Sequence, residues 1–285
     1  MLKIKYAVLL ITLLGCLWLF GCGCIGGTEQ NGPPFEDIIT PVNVDILKVG
    51  KADCIVINTG TKIVMIDTAE EENLPQIHSY MQKNGYNRVD LLILTHFDKD
   101  HIGGAAQIIS KYGVASVIES GFTSPSQWYL SYHDVLDTLD IEPLKLKENY
   151  SFLFDSCQFN IDVPKRDKYA TKQDNNASLV VSMKIGENSF LFCGDAMELR
   201  IEELIEDSIG HYDFVKLPYH GNYLQNYSAL LNIISPSYGA LTCSNKNPPS
   251  EETLSILEKY NVAVYQTRYG EVNVSSDGKK ITIEQ

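Results

Sequence analysis

The sequence is poor in positive charge: Lys and Arg together number 23 against 36 for Asp and Glu, a net charge of −13. A protein that grips nucleic acid through an extended surface needs a basic patch, so this balance argues against tight, nonspecific backbone binding. It leaves open a local centre that attracts phosphate. None of the seven cysteines forms a Cys-x-x-Cys pair, which removes the common zinc-finger and thioredoxin-like patterns. Low-complexity tracts and short-period repeats are also missing. With 44% apolar and 21% charged residues, disorder is expected only in a linker.

What is present begins with a leader. Met-Leu-Lys-Ile-Lys-Tyr is followed by an apolar run from Ala7 to Phe20, and no charge appears until Glu29. A basic start followed by an apolar run is the pattern of a signal peptide. The run ends in Leu19-Phe20-Gly21-Cys22-Gly23-Cys24, which resembles the lipobox of secreted lipoproteins, with Cys22 the expected lipidated residue and Cys24 and Cys16 the alternatives. An uncleaved membrane anchor is the competing reading, because the charge-free stretch is nearly long enough to span a bilayer. In both, Lys3 and Lys5 stay on the cytoplasmic side and the domain faces outward, an extracytoplasmic location on the cell membrane. Setting those two lysines aside takes the net charge from −13 to −15.

We expect residues 1–24 to be the leader, 25–42 a flexible linker rich in Gly, Pro, Asn and acidic residues, and 43–285 one catalytic domain. Three strand-like runs open it, Val44 to Val49, Asp53 to Asn58 and Lys62 to Asp67. A helix over Leu74 to Lys83, an apolar strand Asp90 to Thr95 and a helix from Gly103 to Tyr112 follow. A second half repeats this plan: a hairpin over Ser178 to Cys193, a helix from Glu198, a strand Phe214 to Leu217, and further strands and helices to Glu284. Two such halves predict an α/β fold of two face-to-face sheets with helices outside, an αββα sandwich. Cys54, Cys193 and Cys243 lie in apolar runs and are expected to be small core residues.

The chemistry concentrates after the apolar strand. His96, Asp98, Asp100 and His101 place two imidazoles and two carboxylates within six residues, and converging carboxylates are most easily compensated by a cation. The bland alternative is a solvated polar loop. Gly103 and Gly104 would let a helix N-terminus approach the site and offer free N–H groups to an anion. His220 follows a buried strand and precedes Gly221, as expected of a metal ligand or a proton donor to a leaving group. Asp195 after its strand would be a ligand, or else an N-cap for the helix from Glu198. His78, His133 and His211 are read as surface histidines. Trp128, Tyr129 and Tyr132 are read as helix packing in preference to a substrate cleft.

The segment Thr95-His96-Phe97-Asp98-Lys99-Asp100-His101-Ile102-Gly103-Gly104 resembles the His-x-His-x-Asp-His signature of the metallo-β-lactamase superfamily, in the His-x-Asp-x-Asp-His form of the hydrolase domain of ComEC-type DNA-uptake competence proteins. Similarity continues, in order, through Val49–Cys54, Met65–Ala69, Asn175–Val180, Phe192–Asp195 and Lys216–Gly221. The resemblance implies a single-domain metallo-β-lactamase αββα sandwich acting as a metal-dependent hydrolase. It assigns His96 and Asp98 to a first metal, Asp100 and His101 to a second, and Asp195 to a bridge, with His220 a further ligand. Asp67, Asp174, Asn175, Asn176 and Ser178 would surround and orient these groups.

Asp100 would handle the attacking water and His220 the leaving group. The substrate class implied is a phosphodiester, with extracellular DNA as the partner. A lactone, thioester or carboxylic ester is the second reading, and a metal-poor surface binding module the third. The sequence departs from a full ligand set: a histidine expected before the hairpin is replaced around Gln173-Asp174-Asn175-Asn176, one near Asn245 to Ser250 is missing, and Tyr219 stands at the first position of His-His-Gly. Such an oxygen-rich centre predicts one or two divalent ions, with preference shifted toward Mn²⁺ relative to Zn²⁺.

Overall fold

A computed structural model describes residues 39–170 and 173–285. The leader, the lipidation candidate Cys22 and nearly all of the expected linker lie outside the described residues. The chain opens with three antiparallel strands, β1 (Val42–Ile46), β2 (Ile55–Asn58) and β3 (Ile63–Ile66). Helix α1 (Leu74–Lys83) leads to β4 (Leu91–Leu94), short α2 (Lys99–Ile102), α3 (Ala105–Tyr112), β5 (Val117–Ser120), α4 (Gln127–Thr138) and β6 (Leu144–Leu146). Strands β3 to β6 run parallel.

The second half starts with β7 (Tyr150–Phe154), β8 (Cys157–Asp162), short α5 (Gln173–Asn176), β9 (Val180–Ile185) and β10 (Asn188–Phe192), paired antiparallel in succession. It continues through α6 (Glu198–Glu206), β11 (Phe214–Lys216), α7 (Tyr227–Ile234), β12 (Tyr238–Leu241), α8 (Glu251–Lys259) and β13 (Ala263–Gln266), with β10 to β13 parallel. Finally β14 (Val272–Ser276) and β15 (Ile281–Glu284) return to the first sheet beside β1. The result is an eight-stranded and a seven-stranded sheet.

Strand periodicity explains the layering. Alternate residues point to opposite faces, so Leu91 and Ile93 of β4 join Phe159, Phe190 and Phe214 between the sheets, whereas Leu92 and Leu94 pack against helices. Helices α1, α3 and α4 cover the first sheet through Ile77, Met81, Ile108, Ile109 and Leu136, and α6 to α8 cover the second through Ile201, Leu230 and Leu257. This is the αββα sandwich expected from the sequence.

Some boundaries move. The first strand begins at Val42, paired with Ser276, and Asp53 and Asp67, expected at strand ends, lie just outside the observed strands. The segment from Ser120 to Ile141 contains α4, with Tyr129 and Tyr132 buried and Ser126 capping its N-terminus. All four cysteines of the domain are buried and free. Among the described residues no helix is long and apolar enough to cross a membrane.

Candidate metal centre

Parallel strands end together, and their C-terminal ends form the mouth of this fold. Asp67 follows β3, His96 and Asp98 follow β4, Asp195 follows β10, His220 follows β11 and Thr242 follows β12. One ligand atom each from Asp100, His101, Asp195 and His220 falls in a group whose members all lie within 4.8 Å of one another. Asp195 reaches both imidazoles: its Oδ1 is 3.4 Å from His101 Nε2 and its Oδ2 3.1 Å from His220 Nε2. Asp100 Oδ2 lies 3.4 Å from His220 Nε2. Adjacent to these, His96 Nε2 is 3.8 Å from Asp98 Oδ2, and the His96 and His101 rings are 4.0 Å apart.

The backbone aims these groups. Asp67 and Ala69 adopt left-handed φ values of 58° and 54°, turning the chain sharply after β3. Tyr219 and His220 are left-handed too, at 51° and 54°, an arrangement costly for side chains with a Cβ and tolerated where the surroundings enforce it. It swings His220 back over the end of β11. Asp195 is not an N-cap; Met197 precedes α6 in that position.

Hydrogen bonds fix the imidazole tautomers. Thr95 spends its hydroxyl proton on Asp67 Oδ2 at 2.7 Å, so its oxygen accepts from His96 Nδ1 at 3.1 Å. Asp67 Oδ2 also accepts from His101 Nδ1 at 2.7 Å. Across the site, Thr242 donates to Asp53 Oδ1 at 2.7 Å and accepts from His220 Nδ1 at 2.8 Å. Each ring carries its proton on Nδ1 and turns Nε2 inward. The three Nε2 atoms and Asp195 Oδ1 are buried with no hydrogen-bond partner. Unpaired polar atoms are costly in a protein interior; those of His101, His220 and Asp195 belong to one close group and fit a divalent cation, with the His96 ring beside them.

The electrostatics agree. Burial pushes the Asp195 carboxyl up, but His220 and His101 more than offset this and hold it well below the usual carboxylate range. Burial depresses His101 and His220, yet Asp195 above all raises both, so a proton on Nε2 and a cation are alternatives at the same place. Burial, with His101 adding to it, lowers His96 to about 3, keeping that ring neutral. Asp98 is pushed up to about 6, by burial first and then by Asp174 and Asp100, the mark of crowded carboxylates.

The structure also separates the expected surrounding residues. Asn175 Nδ2 donates to Asp195 Oδ2 at 3.3 Å, and Ser178 Oγ accepts from Asp195 N at 3.2 Å and sits 3.3 Å from His96 Nδ1. The Asn176 side chain instead accepts from Arg200 N in α6. The amides of Gly103 and Gly104 are not free for an anion: they donate to Lys99 O and Ala69 O. These glycines serve close packing, since a Cβ on Gly104 would come 2.6 Å from Thr68 O. His133 is half-buried beside Glu119, and His78 hydrogen-bonds Tyr112, so of the three histidines read as surface only His211 is well exposed.

Sequence reasoning gave no role to Asp53, Lys216, Thr95 or Thr242. Asp53 and Lys216 form a fully buried ion pair, and Lys216 also donates to Gly194 O at 3.0 Å. Burial opposes the charge on Asp53, but Lys216 first, then His101 and His220, lower its pKa. The available signal was an Asp and a Lys in strand-end runs otherwise suited to the core.

A family model described as the metallo-beta-lactamase superfamily matches residues 47–243. Recombination protein 2 of Haemophilus influenzae is 26% identical over 265 residues, 88% of this chain and 31% of that protein. ComE operon protein 3 of Bacillus subtilis is 26% identical over 195 residues, 66% of this chain and 24% of that protein. The chain thus spans a third or less of the length of these relatives. Among solved structures, the metallo-beta-lactamase fold protein YhfI from Bacillus subtilis superposes with a TM-score of 0.52 at 10% identity, covering 86% of this chain and 99% of that one. Igni18, a metallo hydrolase from Ignicoccus hospitalis, gives 0.51 at 14% identity with the same coverage. At such identities these two establish the shared fold alone. The family match takes in every strand from β2 to β12 and every converging side chain described above, and the chain belongs to the metallo-β-lactamase superfamily.

Proposed function

We propose that this protein is a metal-dependent hydrolase of phosphodiesters, acting outside the cytoplasmic membrane to which its N-terminus anchors it. The observation that carries the reading is the convergence of Asp100, His101, Asp195 and His220, the last three of which bring buried, unpartnered nitrogen and oxygen atoms. A divalent cation held there, Zn²⁺ or Mn²⁺, would supply Lewis acidity, lowering the pKa of water and polarising an ester's oxygen. His96 and Asp98 would hold a second ion or complete the first. Asp195 would connect the histidines, and Asp100, with 21% of its side chain exposed, would orient the attacking water from the solvent side. His220 Nε2 is enclosed between Asp100 and Asp195, which favours a ligand role over proton donation to a leaving group.

Phosphodiesters, with extracellular DNA among them, are suggested by relatives named for recombination and for the ComE operon. The excess of acidic residues favours a second substrate class, small carboxylic esters, thioesters or lactones. Purified full-length protein supplied with Mn²⁺ or Zn²⁺ is expected to cleave bis(p-nitrophenyl) phosphate or single-stranded DNA and to lose this on chelation. Metal-dependent cleavage of p-nitrophenyl acetate or a lactone without phosphodiester cleavage would move the assignment to the second class. Failure on every substrate would sink the hydrolase reading.

A further inference from the structure

The site's solvent side is crowded with negative charge. Asp98 and Asp100 are only partly covered, half-buried Asp174 acts on Asp98 strongly enough to raise its pKa, and Asp195 lies beneath. An anionic ester approaching such a surface is repelled unless a fixed cation stands beside the reaction centre.

Three lysines adjoin the site-forming residues, and two are already engaged. Lys99 is paired with Glu70 and Glu72, the latter at 3.0 Å. Lys216 is wholly buried against Asp53. Lys51 differs: about a third of its side chain (32%) is exposed, and its Nζ keeps one long contact, 3.8 Å to Asp100 Oδ2. The same Nζ lies 5.8 Å from the centroid of the Tyr219 ring.

Lys51 is held there by its loop. Gly50 takes a φ of 82°, Ala52 is buried, Asp53 N donates to Asp100 O at 3.0 Å, and Ala69 N donates to Asp53 O at 2.7 Å. The backbone two residues beyond Lys51 is therefore tied to the segment that carries Asp100. On the opposite lip, the left-handed Tyr219 presents its ring immediately before His220. An ammonium over an aromatic face beside a carboxylate is well placed to take up a further anionic oxygen at modest cost in side-chain order.

We propose that Lys51 is a specificity-determining residue that pairs with an anionic non-bridging oxygen of a phosphoester, with the Tyr219 ring as its floor, and so selects charged over neutral esters. This rests on the hydrolase reading above. The test compares full-length, Mn²⁺-loaded wild type with Lys51→Met and Lys51→Arg on bis(p-nitrophenyl) phosphate and p-nitrophenyl acetate. The ratio of kcat/KM for phosphodiester over acetate is expected to fall roughly tenfold in Lys51→Met, the scale of one charge-assisted hydrogen bond. The loss should lie mainly in KM, and Lys51→Arg should recover most of it.

A ratio that does not change, or an equal fall for both substrates carried by kcat, would overturn the proposal and leave Lys51 as a support for Asp100. If wild type cleaves neither probe, the hydrolase reading fails and calorimetric titration with inorganic phosphate decides about Lys51. Weaker binding by Lys51→Met then supports the anion site; equal binding overturns it.

Discussion

The two halves of the sandwich contribute to the site in opposite ways. The first half gathers His96, Asp98, Asp100 and His101 into the turn and short α2 that follow β4, oriented by Asp67 from the neighbouring strand end. The second half offers single residues from separate strand ends, Asp195 after β10 and His220 after β11. Yet Asp195 reaches the Nε2 atoms of both His101 and His220, and His220 is oriented by Thr242 from the second half and Asp53 from the first. A dense local motif presents several ligand groups, while sparse contributions across the sheet interface close the cluster.

That contrast can be broken most severely at Asp195. Asp195→Ala should lower metal affinity by at least about a hundredfold, measured by metal content after gel filtration and by competition with a chromogenic chelator, because it removes the carboxylate shared by two histidines. His211→Ala, an exposed histidine in the same half, should leave metal content unchanged and stability within about 0.5 kcal/mol. Equal metal content in the Asp195 variant would show that the cluster closes without this carboxylate.

A smaller effect is expected one step further out. Thr242→Val keeps the shape but removes the hydroxyl that links Asp53 to His220, and should weaken metal binding roughly tenfold, at the low end for such supporting groups. Thr242→Ser should restore it. In the zinc-loaded protein, ¹⁵N chemical shifts should report a protonated Nδ1 on His220 in wild type and in the serine variant. Coordination through Nδ1 would contradict the tautomer fixed by Asp53 and Thr242.

The mildest test uses pH. His101 and His220 have folded pKa values raised above the ordinary 6.5, so the stability their protonation gives the metal-free protein is fully present below that unfolded value and is lost as pH rises through the elevated range. Metal requires the Nε2 atoms unprotonated. The rise in Tm on adding Zn²⁺ should therefore be small near about pH 6 and grow as the pH passes up through that elevated range. A metal-induced shift independent of pH would separate these two rings from the ion.

The parts of the molecule that were legible before folding were those with local signals. The alternation and apolar runs of β1 to β4 and β9 to β12, the helix over Leu74 to Lys83, and the His96–His101 cluster all carry their meaning within a few residues. Less was visible between Val117 and Asp162, where β6 has only three residues, β7 is largely exposed, and the pattern gives little contrast between faces. Gly103 and Gly104 misled for a related reason. Glycine marks close approach, but whether a ligand or the protein's own Thr68 and Ala69 backbone comes near depends on the packing.

By itself the sequence determined the family resemblance, the layered architecture and the identity of the chemically capable side chains, because hydrophobic period and motif spacing are properties of the chain. Only the tertiary structure decided that Asp53, Thr242 and Lys216 belong to the same polar core, and that His220 faces Asp195 and Asp100 together. Asp53 and Thr242 are 189 positions apart, yet share a 2.7 Å hydrogen bond. Such a bond has no local signature: it forms where strand ends from two sheets meet, and the cost of burying each polar group then selects its partner.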